Sequence, residues 1–171
     1  KVLMEHTEGP VGFIRPTFEE YPNRYDSALS VVYTPDNEDF SYTAEDLIGY
    51  YGSPGHTVGT LVLINPDNPS GNYIDCEGLK KLIDWARTSS IRLVIDESFS
   101  DFAELSGDTQ ALDLSLINEA VLQSSSGLFV VKRISKSYGV PGIRTGVLAS
   151  SDEAPIALLK EEATNCTINY F

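Results

Sequence analysis

Lys136 is the main candidate among the side chains in this sequence that could do chemistry. It follows Ser135, and Arg144 comes eight residues later, between Gly142 and Gly146. A deprotonated lysine amine forms a Schiff base with an aldehyde, whereas a guanidinium offers a planar fork of donors that suits a phosphate. The lysine therefore suits carbonyl chemistry, and the arginine suits the binding of an anion.

Two further polar residues, Asn68 and Asp96, stand far upstream of this lysine. Asn68 lies in a turn that contains two Asn-Pro pairs, and Asp96 stands at the end of an apolar run. A carboxylate at the end of a buried strand is costly unless it has a partner. Asn68, Asp96 and Lys136 each fall at or just past the end of a predicted strand. Because ligands bind outside the carboxyl ends of parallel strands, we expect the three to converge.

The elements that must position these residues alternate between strands and helices. Apolar, β-branched runs predict strands at 11–14, 29–33, 60–64, 92–95, 128–131 and 146–149. One helix is predicted to begin after a capping box formed by Thr43 and Asp46, and a second after the N-cap residue Asp75. Two further helices are predicted over 111–122 and 154–163. This alternation predicts an α/β fold of three layers, α/β/α, around a mainly parallel sheet.

Composition narrows the class of protein. The 171 residues suit one domain with a real core, and the formal net charge of −13 disfavours nucleic acid and anionic membranes as partners. Cys76 and Cys166 are typical of a reducing compartment, which predicts a cytoplasmic protein. His6 and His56 lack partners at the spacing of metal ligands, so no metal site is predicted. No apolar run approaches the roughly 18 residues that span a bilayer.

Three motifs, in this order, resemble the class I and II aminotransferases, the fold-type I enzymes that use pyridoxal phosphate. The motifs are Asn65-Pro66-Asp67-Asn68-Pro69-Ser70-Gly71, Val94-Ile95-Asp96-Glu97-Ser98-Phe99, and the stretch 132–146 around Lys136. The resemblance implies the large domain of that fold and pyridoxal phosphate as the cofactor. It further implies an aminotransferase that moves an amino group from an amino acid to a keto acid through a lysine-bound Schiff base.

The resemblance also assigns the catalytic roles. Lys136 would bind the cofactor and then shuttle a proton at the α-carbon of the amino acid. Asp96 would keep the pyridine nitrogen of the cofactor protonated, which makes the ring an electron sink. Glu97 follows directly, but side chains alternate between the two faces of a strand, so we assign the role to Asp96.

Four residues would hold the cofactor without reacting with it. By the resemblance, Asn68 hydrogen-bonds the phenolic oxygen, Arg144 binds the phosphate, and Ser135 adds a hydroxyl to that phosphate site. Phe18, in the stretch 16–21, would stack on the pyridine ring. Taken without the resemblance, Asn68 also suits an ordinary turn, Arg144 a surface ion pair and Phe18 core packing.

Two positions depart from the family pattern. Arg133 stands where the family commonly has a hydroxyl residue, and it would either bind phosphate or crowd the site. Phe99 replaces a tyrosine, as in threonine-phosphate decarboxylases and some proteins similar to histidinol-phosphate aminotransferases. A decarboxylase acting on a phosphorylated amino acid and a non-catalytic domain of the same fold therefore remain alternatives. A plain nucleotide-binding domain is disfavoured because no glycine-rich phosphate loop follows a strand.

The resemblance extends over nearly all of the chain but over only part of a typical family member. It implies that residues 1–171 form a single domain, the central part of the large domain, without the N-terminal segment and the C-terminal small domain. We expect the full-length protein to be a homodimer and this piece alone to be inactive.

Overall fold

The computed structural model describes residues 9–25, 29–104, 116, 118–140, 142 and 145–162. Six strands run through this part of the chain: β1 Val11–Ile14, β2 Ser30–Tyr33, β3 Thr60–Ile64, β4 Arg92–Asp96, β5 Leu128–Arg133 and β6 Gly146–Ala149. They form one sheet in the order β2-β1-β3-β4-β5-β6. The first five strands are parallel, and β6 pairs antiparallel with β5. The predicted mainly parallel sheet is confirmed.

Helices lie in the connections between these strands and, in one case, after the last strand. They are α1 Ala44–Tyr51, α2 Cys76–Thr88, α3 Ser100–Glu104, α4 Glu119–Ser124, α5 Ile134–Ser137 and α6 Glu153–Glu162, and a short 3-10 helix spans Pro22–Arg24. Thr43 and Asp46 form the predicted capping box at the start of α1. The Asp75 side chain accepts a hydrogen bond from the backbone N–H of Gly78 and caps α2. Both caps satisfy N–H groups that have no partner within the helix.

One predicted helix, at 111–122, begins later than its sequence pattern suggests. Asn118 is the N-cap of α4, and its side chain accepts a hydrogen bond from the backbone N–H of Ala120. Leu116 precedes this cap and is not helical, while 111–115 and 117 lie outside the described residues. An asparagine side chain that binds the backbone two residues ahead starts a helix, and this local preference overrides the apolar periodicity.

The sheet buries both of its faces. Leu61 and Leu63 of β3 pack on one face in a cluster that includes Leu47 of α1 and Leu82 of α2. Val62, the residue between them, packs on the other face with Phe13, Val94 and Phe129, against which Ile156 of α6 also lies. Side chains of a strand alternate in this way because its period is two. Helices on both faces confirm the predicted three-layer α/β/α class.

Candidate active site

A cleft lies at the carboxyl end of the central strands, where the sequence predicted convergence. Its lining consists of Phe18, Ile64, Asn68, Asp96, Ser98, Phe99, Arg133 and Lys136. Ile64, Asp96 and Arg133 are the last residues of β3, β4 and β5. Four of the six predicted site residues, Phe18, Asn68, Asp96 and Lys136, therefore share one cleft, although their individual roles stay predictions.

Asp96 is a buried carboxylate with three hydrogen-bond donors around it. The Tyr21 hydroxyl donates to Oδ2 at 2.5 Å, the backbone N–H of Ser98 donates to Oδ1 at 2.9 Å, and the Ser98 hydroxyl also donates to Oδ1. The residue is 5% exposed. Over the described ranges, no lysine or arginine forms an ion pair with it. Neutral donors therefore take the place of water around this charge.

Tyr21 is a site residue that sequence reasoning missed. Burial, and then the negative charge of Asp96 and the hydrogen bond to it, raise the pKa of the Tyr21 hydroxyl, so that it stays a donor. Its ring also contacts the Phe18 ring edge-on, with the centroids 6.5 Å apart. The available signal was its place three residues after Phe18, in the turn that follows β1.

Glu97 lies beside Asp96 in sequence but makes different contacts. Its Oε2 accepts a hydrogen bond from the backbone N–H of Leu116 at 2.9 Å, and its own N–H donates to the carbonyl of Val131 at 2.8 Å. The side chain is 2% exposed. As the alternation of the strand predicted, Asp96 rather than Glu97 lines the cleft.

Two cationic side chains stand over aromatic rings at the cleft. The Lys136 Nζ lies 5.9 Å from the centroid of the Phe99 ring, and the Arg133 Cζ lies 5.3 Å from the centroid of the Phe18 ring. Such contacts are attractive because the face of an aromatic ring is negative. The backbone N–H of Arg133 also donates to the Ser98 hydroxyl at 3.0 Å, which ties the end of β5 to the turn after β4.

A second cleft adjoins the first and shares Arg133 and Lys136 with it. Its lining consists of Val131, Arg133, Ser135, Lys136, Thr145, Gly146, Val147 and Leu148. Ser135 therefore lies beside Lys136, but in this neighbouring cleft. Arg144 lies outside the described residues, so its predicted contact with a phosphate stays a prediction.

The turn that carries Asn68 is organised by Asp67, a second residue that sequence reasoning missed. Asp67 accepts hydrogen bonds from the backbone N–H of Asn68 at 2.8 Å and from the Ser70 hydroxyl at 2.6 Å. Burial raises the pKa of its carboxyl, while these two donors act in the opposite direction. Asn65 fixes the base of the turn through a pair of hydrogen bonds to the backbone of Ile74. The backbone around Asn68 is thus held on both sides.

These contacts give the cleft a defined chemical character. An amine, a buried carboxylate and an amide surround a space bounded by the aromatic rings of Phe18 and Phe99. In the part of the chain that the structure describes, His, Cys, Asp and Glu nowhere gather into a group able to hold a metal ion. Nor does any described helix have the length and apolar character needed to cross a membrane. The arrangement suits a flat aromatic ligand that carries a carbonyl group.

Comparisons with known proteins agree with this chemistry. Residues 6–167 match the model of a family described as aminotransferase class I and II. L-serine phosphate decarboxylase from Sulfurospirillum multivorans is 32% identical in a match that covers 98% of this chain and 41% of that protein. The chain therefore spans less than half the length of this relative.

Solved structures give the same picture. The structure of a decarboxylase from Sulfurospirillum multivorans superposes with a TM-score of 0.79 and 30% identity, over 98% of this chain and 47% of that one. The histidinol-phosphate aminotransferase from Clostridium acetobutylicum superposes with a TM-score of 0.74 and 25% identity, over 95% of this chain and 45% of that one. Both decarboxylases and aminotransferases are thus similar to this chain.

Proposed function

Because the chain belongs to the class I and II aminotransferase family, we propose that it acts in a pyridoxal-phosphate-dependent decarboxylase of a phosphorylated amino acid. The cleft that gathers Asn68, Asp96 and Lys136 at the carboxyl end of the sheet carries the proposal. The similarity to L-serine phosphate decarboxylase supports the choice of reaction. The motifs of the sequence predicted an aminotransferase first, whereas the comparisons favour the decarboxylase alternative.

The prediction of pyridoxal phosphate as the cofactor is confirmed by the family match. When bound, this cofactor supplies an electron sink for the electron pair left at the α-carbon. The residues present fit it. Asp96 is a buried carboxylate without a cation in the described part of the chain, which suits a protonated ring nitrogen. The Asn68 amide suits the phenolic oxygen, the Phe18 ring suits stacking, and the Lys136 amine suits the aldehyde.

Three residues of the chain would then have separate roles in the reaction at the α-carbon. Lys136 would deliver a proton to that carbon after the carboxyl group has left, as a positioned general acid. Arg133 would bind phosphate, because its guanidinium is a strong donor to such groups and lines both clefts beside Lys136. Asp96 would hold the positive charge of the ring nitrogen in place through its fixed carboxylate.

Aminotransfer is the second candidate for the reaction. It is supported by the likeness to histidinol-phosphate aminotransferase and by Lys136, since the same amine can also remove a proton from the α-carbon. The two reactions differ in the bond to the α-carbon that breaks. A decarboxylase releases carbon dioxide and keeps the amino group on its product, whereas an aminotransferase leaves a keto acid.

The first experiment tests the cofactor site. Pyridoxal phosphate is added to the chain, the adduct is reduced with borohydride, and the modified peptide is mapped by mass spectrometry. We expect selective labelling of Lys136, loss of that label in Lys136→Ala, and a lower yield in Arg133→Ser. The Lys160→Ala variant, which changes a lysine of α6, is the matched control and should keep the label on Lys136. Labelling scattered over surface lysines would contradict the proposal and favour the non-catalytic alternative.

The second experiment identifies the reaction. The full-length protein, loaded with pyridoxal phosphate, is incubated with L-serine phosphate and, separately, with the same amino acid plus a keto acid acceptor. We expect release of carbon dioxide and formation of ethanolamine phosphate without any need for the acceptor. A product that forms only with the acceptor and lacks the amino group would instead assign an aminotransferase.

Three expectations about the whole protein remain proposals. They are the homodimer, the cytoplasmic location, and the place of residues 1–171 as the central part of the large domain. The family match supports the homodimer and, together with a span of less than half of the relative's length, the place in the large domain. The cytoplasmic location rests on the two cysteines of the sequence. Sedimentation of the full-length protein would test the dimer directly.

A further inference from the structure

We infer that Tyr21 is a positioning residue, which fixes the carboxylate of Asp96 so that it pairs with the ring nitrogen of the cofactor. The inference rests on the proposed function, because it concerns the same site. It assigns to Tyr21 no contact with substrate and no step of the reaction.

The local backbone places the Tyr21 hydroxyl against Asp96. Tyr21 precedes the 3-10 helix Pro22–Arg24, and its backbone N–H donates to the carbonyl of Phe18 at 3.2 Å. The ring packs against the apolar cluster that contains Val94 and Phe129. The turn that contributes the Phe18 ring to the cleft therefore also delivers a donor to Asp96 Oδ2 at 2.5 Å.

The two oxygens of Asp96 are held by different parts of the chain. Ser98, two residues onward, supplies both donors to Oδ1, whereas Tyr21, 75 residues away, supplies the donor to Oδ2. Because the two oxygens of a carboxylate turn together about the Cβ–Cγ bond, donors on both oxygens restrict that rotation more tightly than donors on one oxygen alone. Burial raises the pKa of Tyr21, so its proton is present to donate. Without that hydroxyl, the orientation of Asp96 would depend on Ser98 alone.

The test compares two ligands in one variant. Tyr21→Phe removes the hydroxyl and keeps the ring. The ligands are pyridoxal phosphate and its 1-deaza analogue, in which carbon replaces the ring nitrogen, and their dissociation constants are measured by fluorescence titration of the full-length protein. We expect Tyr21→Phe to weaken pyridoxal phosphate about tenfold, from the typical strength of a hydrogen bond to a charged group. The deaza analogue cannot pair with Asp96, so its binding should change by less than about twofold.

Two further variants separate positioning from general damage. Tyr51→Phe also removes a hydroxyl hydrogen bond inside the protein, from Tyr51 to the carbonyl of Phe13 at 2.6 Å, but it does not touch Asp96. We expect it to leave both ligands unaffected. Ser98→Ala removes a hydroxyl donor from the other oxygen of Asp96 and should again weaken pyridoxal phosphate selectively. Thermal unfolding followed by circular dichroism establishes that each variant is folded.

The outcomes distinguish the inference from the proposed function. Equal weakening of both ligands by Tyr21→Phe would make Tyr21 a purely structural residue and would overturn the inference. Unchanged binding of both ligands would overturn it as well. If Tyr21→Phe does not fold, the binding measurements on Ser98→Ala test the inference in its place. Equal weakening of both ligands in Ser98→Ala would then contradict the idea that hydrogen-bond donors fix the orientation of Asp96. Failure of the unsubstituted protein to bind pyridoxal phosphate would overturn the proposed function itself.

Discussion

A single methyl group added at Gly12 tests how tightly β1 packs beneath α1. A Cβ at this buried position would lie 2.8 Å from Tyr51 Cε1 and 3.0 Å from Leu61 Cδ1. Non-bonded carbon atoms prefer roughly 3.5 Å or more, so the Tyr51 ring would have to move by about 0.7 Å. That ring is 1% exposed, and its hydroxyl is tied to the carbonyl of Phe13 at 2.6 Å. The ring therefore has little room to yield.

The expected cost of Gly12→Ala follows from these contacts. Overpacking of a close-packed core costs about 1–3 kcal/mol, and distortion of the Tyr51 hydrogen bond adds about 1 kcal/mol. We therefore expect the free energy of unfolding to fall by about 2–4 kcal/mol, which lowers Tm by roughly 4–16 °C for a protein of this size. Urea titration followed by circular dichroism measures the first quantity, and calorimetry measures the second.

Gly49→Ala is the matched control, because it adds the same methyl group on the exposed side of α1, where no atom beyond its chain neighbours and the backbone of its own helix lies within 4 Å. Replacing glycine by alanine in a helix is worth up to about 1 kcal/mol of added stability, so the two variants should shift in opposite directions. In a Tyr51→Phe background the ring no longer has the hydrogen bond to the carbonyl of Phe13. Gly12→Ala should then lower the free energy of unfolding by about 1 kcal/mol less than it does in the unsubstituted protein. Equal stability of Gly12→Ala and the unsubstituted protein would refute this account of the packing.

Three further predictions concern charged groups near the cleft. Asp96→Asn removes the negative charge for the ring nitrogen and should weaken pyridoxal phosphate by about tenfold or more in a fluorescence titration; unchanged affinity would contradict the proposed pairing. Lys132→Met breaks the partly exposed ion pair with Asp101, whose N···O distance is 2.5 Å. The free energy of unfolding, measured by urea titration, should fall by about 1 kcal/mol or less, and by a smaller amount at high salt because salt screens the pair. Burial raises the pKa of the Asp67 carboxyl in the folded state, so its contribution to stability is fully present below about pH 4 and is lost as the pH rises through the folded pKa. The stability of Asp67→Asn relative to the unsubstituted protein should therefore increase between about pH 4 and pH 7, and a decrease would contradict this linkage.

The sheet and the convergence of its polar residues were predictable from local signals. The apolar, β-branched run at 60–64 forms a strand with every residue buried, as its pattern predicted. Parallel strands have their carboxyl ends at one edge, so Asp96 and Lys136 had to approach each other once the strand order was right. The caps at Thr43 and Asp75 were equally accessible, because each depends on residues within three positions of it.

The contacts around Asp96 were not predictable in the same way. The bond from Tyr21 joins residues 75 positions apart and depends on the path of the turn after β1, for which the sequence carries no periodic signal. The start of α4 was missed for a local reason, since the Asn118 cap competed with an apolar periodicity that extends further upstream. Hydrogen bonds between side chains that are distant in sequence therefore required the structure, whereas the strands and the local caps at Thr43 and Asp75 did not.

The order of the sheet also bears on how the site responds to partial opening of the molecule. The strand that ends in Asp96 is flanked by β3 and β5, whereas β2 and β6 form the two margins of the described sheet. Marginal strands open locally at a lower free energy than strands paired on both sides. Amide hydrogens of β4 should therefore exchange with solvent later than those of β2, and fraying of β2 would leave Asp96 in its place. The carboxylate of the candidate site thus belongs to a strand that keeps both of its neighbours when a marginal strand of the described sheet opens.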